Sequence, residues 1–166
     1  GRDVFSELGC MSCHRPSLPL DSLAFADPGP VDTAGTLRTG DVETPAVYDL
    51  ALTEWARHLP RDAEGRVLVP LFGDLKRHRI ADTRTADLGN ETLAQRFVER
   101  DVFMTAELWG LADTAPYGHR GDMTTLDEVI RAHGGAASAS AAAYKDLAEA
   151  DRSALIAWLK TLRITP

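Results

Sequence analysis

The two cysteines of this 166-residue sequence lie three positions apart, and a histidine follows the second: Gly9-Cys10-Met11-Ser12-Cys13-His14. Three chemistries use such a pair. Zinc would need two further ligands, and His58, His78, His119 or His133 could complete a Cys₂His₂ set. A redox dithiol would follow a buried strand and open a helix, whereas here the helix-like stretch Val4-Phe5-Ser6-Glu7-Leu8 precedes the pair. The third chemistry is covalent attachment of haem. Each thiol adds to one vinyl group of a single porphyrin, and the adjacent histidine lies under the iron as an axial ligand. The Cys-x-x-Cys-His string favours this third reading: one c-type haem on Cys10 and Cys13, ligated by His14. With no other cysteine, a disulfide framework is excluded.

The elements that must position this site are legible in outline. Residues 1–9 read as a short helix leading into it. Residues 15–50 carry Pro16, Pro19, Pro28, Pro30 and Pro45 among many Gly, Asp and Thr, which predicts an ordered but irregular wrap. Val67-Leu68-Val69 reads as a short strand ended by Pro70. Residues 91–100 place Leu93, Phe97 and Val98 on one side at helical spacing, and Glu107 to Ala112 reads as a short helix around Trp109. Thr124 or Thr125 caps the next helix, with Asp127 and Glu128 in its first turn. Leu126, Val129, Ile130 and His133 share one face of it, and Gly134-Gly135 ends it. The run Ala136 to Ala143 permits helix. The last helix spans about Ala150 to Leu162, with Leu155, Trp158, Leu159 and Leu162 as its apolar stripe. The expected fold is mainly α, a single domain over residues 1–166, with long irregular loops wrapped around one covalent haem.

Composition sets the bounds. Hydrophobic residues make up 44% and charged residues 26%, enough for a real core. The formal net charge is −7, which argues against a nucleic-acid partner and suits docking to a basic protein. No apolar run approaches the roughly 20 residues of a membrane span. The sequence opens at Gly1 without a leader, as expected of a processed or excised domain; haem is attached to c-type cytochromes outside the cytoplasm, so the expected location is periplasmic or otherwise extracytoplasmic.

Several strings resemble one family. They are Leu71-Phe72-Gly73-Asp74-Leu75-Lys76-Arg77-His78, Glu107-Leu108-Trp109-Gly110-Leu111, Ala115-Pro116-Tyr117-Gly118-His119-Arg120-Gly121, and Leu126-Asp127-Glu128-Val129-Ile130-Arg131-Ala132-His133-Gly134-Gly135. The chain resembles the C-terminal haem domain of the di-haem oxidoreductases of the bacterial cytochrome c peroxidase superfamily, a group that includes thiol oxidoreductase-like proteins. The resemblance implies a cytochrome c-like domain whose first and last helices cross, with Phe5 and Trp158 as candidates for the contact. It implies an electron-transferring haem here and a reactive haem on another domain or chain. It also implies a calcium ion held partly by carbonyls of Thr114-Ala115-Pro116, with the other half of that site elsewhere.

The second axial position of the iron decides function, because a strong protein ligand makes an electron carrier and an open position makes a reactive site. His58, His78, His119, His133, Met104 and Met123 are the candidates. His133 lies on the apolar face of its helix. In the related peroxidases the distal methionine follows the Pro-Tyr-x-His segment by fourteen residues, and the matching position here is His133, in the His-Gly-Gly string that the resembling group shares. Met104 and Met123 suit ordinary packing. Arg77, His78 and Arg79 read either as partners for haem propionates or as a solvated loop. Trp109 reads as core or as part of an electron path. The expected function is electron transfer by a bis-histidine, low-spin haem, with His14 and His133 as the metal ligands. No side chain is assigned a catalytic role. The alternative is the electron-entry half of a peroxidase-like oxidoreductase, in which the partner is a second haem domain or a redox protein.

Overall fold

The computed structural model describes residues 1–27, 39–41, 43–89 and 98–163. The helix expected around residues 91–100 falls for the most part outside them. The chain forms two compact units, Gly1–Pro16 with Leu71–Pro166, and Ser17–Pro70.

The first unit holds both ends of the chain. Helix α1 (Arg2–Glu7) buries Phe5 against α5 (Glu149–Leu159). The Phe5 and Trp158 rings lie 5.0 Å apart. A side chain at Gly1 would meet Ala154 and Trp158 of α5, so the first residue is also tight against the last helix. Between these come α3 (Leu126–Arg131) and α4 (Ser138–Lys145). Phe5, Leu108, Leu126, Tyr144, Leu155 and Leu159 form the main core. A smaller cluster joins Leu88, Met123 and Ala132.

Helix α3 is only six residues long, so its ends decide whether it forms. The Thr125 hydroxyl accepts from the Glu128 N–H, and the Glu128 carboxylate accepts from the N–H of Thr125 and of Thr124, both at 2.8 Å. This capping box satisfies donors that a helix start leaves unpaired. Tyr144 of α4, fully buried, donates its hydroxyl to Asp127 at 2.7 Å and so ties α4 to α3.

The second unit contains α2 (Glu54–His58) and two short antiparallel ladders. Strand β1 (Leu18–Pro19) pairs with β4 (Leu68–Val69), and β2 (Ala24–Asp27) with β3 (Ala46–Asp49). In the first unit β5 (Arg77–Arg79) pairs with β6 (Val102–Met104). The expectation of a mainly α fold is therefore corrected. Helix accounts for 35% and strand for 15%, a mixed α/β arrangement with small sheets. The reason lies in the backbone. N–H and C=O groups outside helices also take backbone partners, and the proline-rich stretch finds them in two-stranded ladders. Pro19 is tolerated in one because such a strand has a free edge. The Arg77–Arg79 cluster is likewise a strand, and in place of the helix expected at Glu107–Ala112 only a 3₁₀ turn forms at Leu111–Asp113, after Gly110 at φ +66°. The short strand before Pro70 and the last two helices lie close to where the sequence puts them.

Thr125→Ala should lower the unfolding free energy by about 1 kcal/mol, read as a lower denaturant midpoint at unchanged slope. A midpoint equal to that of the parent protein would show that the box does not hold α3.

Candidate haem site

Helix α1 ends at Leu8, and Gly9 at φ +77° turns the chain into a 3₁₀ turn at Cys10–Ser12. That turn folds His14 back, and its N–H donates to the Cys10 carbonyl at 2.9 Å. The His14 ring is held from the other side. Its Nδ1 donates to the carbonyl of Phe72 at 3.1 Å, which leaves Nε2 as the nitrogen for a metal. Phe72 and Leu75 both occupy the left-handed region, at φ +50° and +56°, a conformation that costs a non-glycine residue about 1–3 kcal/mol. Packing holds this turn in place. The Phe72 ring stands edge-on to Trp158 at 5.8 Å, and the Gly73 N–H donates to the Arg15 carbonyl at 3.1 Å.

His133 stands just past the end of α3. Its Nδ1 donates to the Val129 carbonyl one turn back, at 2.6 Å. The two imidazole rings face the same space, with centroids 6.5 Å apart. Burial pushes the pKa of both rings below the ordinary value, for His14 against the raising effect of the Phe72 and Ala106 carbonyls, and for His133 against that of Val129. Both rings are therefore neutral at pH 7, the form that donates a lone pair.

The space between them is a cavity of about 560 Å³, within the range of cofactor pockets. Cys10 and Cys13 open into it, amid apolar walls that include Phe5, Leu108, Leu126 and Leu155. A metal-bound imidazole nitrogen sits about 2.0 Å from the metal and its ring centre roughly 1 Å further. Two imidazoles on opposite sides of one iron thus have centres about 6–6.5 Å apart, which is the separation here. Free thiols, two neutral imidazoles at this separation and an apolar slot together fit a haem.

The other uses of the cysteine pair fit less well. Burial raises the Cys10 pKa, and the neighbouring Cys13 raises it further, so Cys10 is not a poised thiolate of the dithiol type. The donor atoms that gather within 4.8 Å among the described residues are those of Cys13, Asp74 and His78, not two cysteines with two histidines.

The remaining candidates are dispersed. Met123 is buried against Leu88 and Ala132. Met104 is half exposed at the cavity edge on β6. His58 is exposed in the second unit and bonded to the Glu54 carbonyl. His119 lines the cavity and packs on Phe103 at 4.6 Å. Arg79 pairs with Asp101 and Glu99. Trp109 is half exposed rather than core.

One pair has no signature in the sequence. Asp74, buried, accepts at 2.8 Å from Nε2 of His78, which lines the cavity. An Asp-x-x-x-His spacing suggests a helix face, but here the residues meet across the Phe72–Leu75 turn, which no local pattern announces. Burial raises the Asp74 pKa, but hydrogen bonds from the Lys76 N–H, Thr105 and His78 outweigh it and hold the carboxyl down at about 2.

The comparisons bear on this geometry. Residues 62–162 match the family described as "Di-haem oxidoreductase, putative peroxidase". The chain belongs to that family of di-haem, peroxidase-like oxidoreductases, and membership implies haem binding. It is similar to a protein named cytochrome-c peroxidase IdrP2 from Pseudomonas sp. (strain SCT), 31% identical over 95% of this chain and 37% of that protein. A protein of the same name from Denitromonas iodatirespirans is 27% identical over 100% of this chain and 39% of that protein. The chain thus spans less than two fifths of these relatives. No solved structure matches. Among the described residues no helix is long and apolar enough to cross a membrane.

Because the Asp74 pKa is depressed on folding, its contribution is present above the ordinary value of 3.8 and lost as pH falls toward 2. The unfolding free energy should exceed that of Asp74→Asn by about 2 kcal/mol above pH 4, with the difference closing between pH 4 and 2. A gap that does not narrow on acidification would rule out this role.

Proposed function

We propose that this chain is an electron-transfer domain that carries one covalent c-type haem. Cys10 and Cys13 would hold the porphyrin through thioether bonds, and His14 and His133 would ligate the iron. The observation that carries the reading is the pair of neutral imidazoles 6.5 Å apart across an apolar slot beside both thiols. The haem supplies a one-electron couple. The chain's residues orient it, exclude water and set its potential. Two imidazoles give a lower potential than a histidine with a methionine, because a thioether sulfur favours reduced iron. Met123, packed into its own cluster, is poorly placed to compete.

Within this reading the domain is the electron-entry half of a di-haem peroxidase-like oxidoreductase, and the reactive haem is on another domain or chain. Membership of a di-haem family and coverage of 37% and 39% of relatives named as peroxidases support this. Haem is attached to c-type cytochromes outside the cytoplasm, so on this reading the protein is periplasmic or otherwise extracytoplasmic.

Absorption and electron paramagnetic resonance spectra of the purified holoprotein test the ligands. The parent protein should be six-coordinate low-spin, and His133→Ala should convert ferric iron to high-spin. A low-spin spectrum unchanged by His133→Ala would remove His133 as a ligand. Cys10→Ala with Cys13→Ala should make the haem extractable into acidified organic solvent, whereas haem that resists extraction would overturn thioether attachment.

A further inference from the structure

The string His133-Gly134-Gly135 docks onto residues 79–85, and the docking is tight. The Gly134 N–H donates to the Ile80 carbonyl at 2.9 Å. A Cβ at Gly134 would lie 2.9 Å from the Thr85 side chain and 3.0 Å from its carbonyl. At Gly135, with φ +51°, a Cβ would come within 2.3 Å of the Arg79 carbonyl oxygen. Neither position has room for a side chain. The helix end that carries His133 is therefore seated against a separate stretch of backbone.

One side chain of that stretch reaches across. Asp82 Oδ1 accepts from the N–H groups of Arg84 and Thr85, at 2.8 and 2.9 Å, and closes its own turn. Its Oδ2 accepts from the Gly135 N–H at 2.9 Å. The two oxygens thus have separate tasks, one local and one across 53 positions of sequence. A carboxylate bonded to backbone N–H groups makes a stronger bond than a neutral acceptor does. Arg79 at the other edge of the same seat is fixed by Asp101 and Glu99.

We infer that Asp82 is a positioning residue for the distal ligand: its Oδ2 bond to Gly135 fixes the end of α3 and so holds His133 on the iron. The inference rests on His133 being that ligand. Without the bond, the segment after His133 loses an anchor two residues from the imidazole, and the iron–histidine bond opens more often. An added ligand then enters more readily.

The split between the two oxygens provides the test. Asp82→Asn keeps an acceptor for the local turn but presents an NH₂ group to the Gly135 N–H. Asp82→Ser keeps a hydroxyl turn acceptor but is too short to reach Gly135. Cyanide binding to the ferric holoprotein is measured for the parent and both variants, with circular dichroism as the check on folding. His133→Ala is run alongside. Both variants should stay low-spin without cyanide and bind it about tenfold faster. Asp62→Asn, in the second unit, should leave cyanide binding at the parental rate. If His133→Ala is high-spin but the Asp82 variants bind cyanide at the parental rate, the positioning role is overturned while the ligand assignment survives. If His133→Ala keeps the parental spectrum, the ligand assignment itself falls and this inference falls with it. If one Asp82 variant does not fold, the other decides the question.

Discussion

Two hydrogen bonds from imidazole to backbone carbonyl govern this structure. The Phe72 carbonyl accepts from His14 Nδ1–H, and the Val129 carbonyl accepts from His133 Nδ1–H. Each bond fixes a tautomer, a ring orientation and the identity of the free nitrogen. Neither carbonyl could do this from a mobile segment. One belongs to a turn with two residues in the left-handed region, and the other to a capped helix. The elements around the cavity act chiefly to keep these two carbonyls where they are.

Burial raises the stakes at each. An imidazole taken out of water costs free energy unless its polar atoms are paired, and both rings lie in an apolar slot. The carbonyl bonds satisfy Nδ1, and a metal would satisfy Nε2. The apolar walls cannot be closed up to save the cost, because Phe5, Leu108 and Leu155 already belong to the main core. The core and the site thus share the same residues, and a change that fills the slot would also disturb the contact of α1 with α5.

How far the sequence disclosed this depends on the range of the interaction. The Cys10–His14 string, the capped helix before His133 and the amphipathic last helix are local patterns, and each stands close to where the spacing put it. Ladder pairing is not local. Nothing in Leu18-Pro19 names Leu68-Val69 as its partner, so residues that read as an irregular wrap turned out to pair. The Phe72 turn shows the same difficulty in sharper form. A phenylalanine and a leucine at positive φ contradict local preference, and it is long-range contacts that hold the turn: Phe72 on Trp158, its carbonyl on His14, and the Gly73 N–H on the Arg15 carbonyl. The Asp74–His78 pair follows from that turn and was invisible for the same reason.

The two carbonyl bonds are not equal, and their difference gives the site a direction. The His133 bond is the shorter, 2.6 Å against 3.1 Å for His14, and it reaches back one turn from just past the end of α3. A stronger bond at Nδ1 pulls proton density away from the ring and makes Nε2 the better donor. Under the proposed ligation, that donation favours ferric iron and reinforces the low potential expected of two imidazoles. His14 needs less help, since the thioether linkages beside it would keep it near the iron whatever its basicity. On the same reading His133 would have no covalent tether of that kind. It depends on the short bond to Val129 and on the seating of Gly134 and Gly135, so the stronger second bond stands on the side where attachment is weaker.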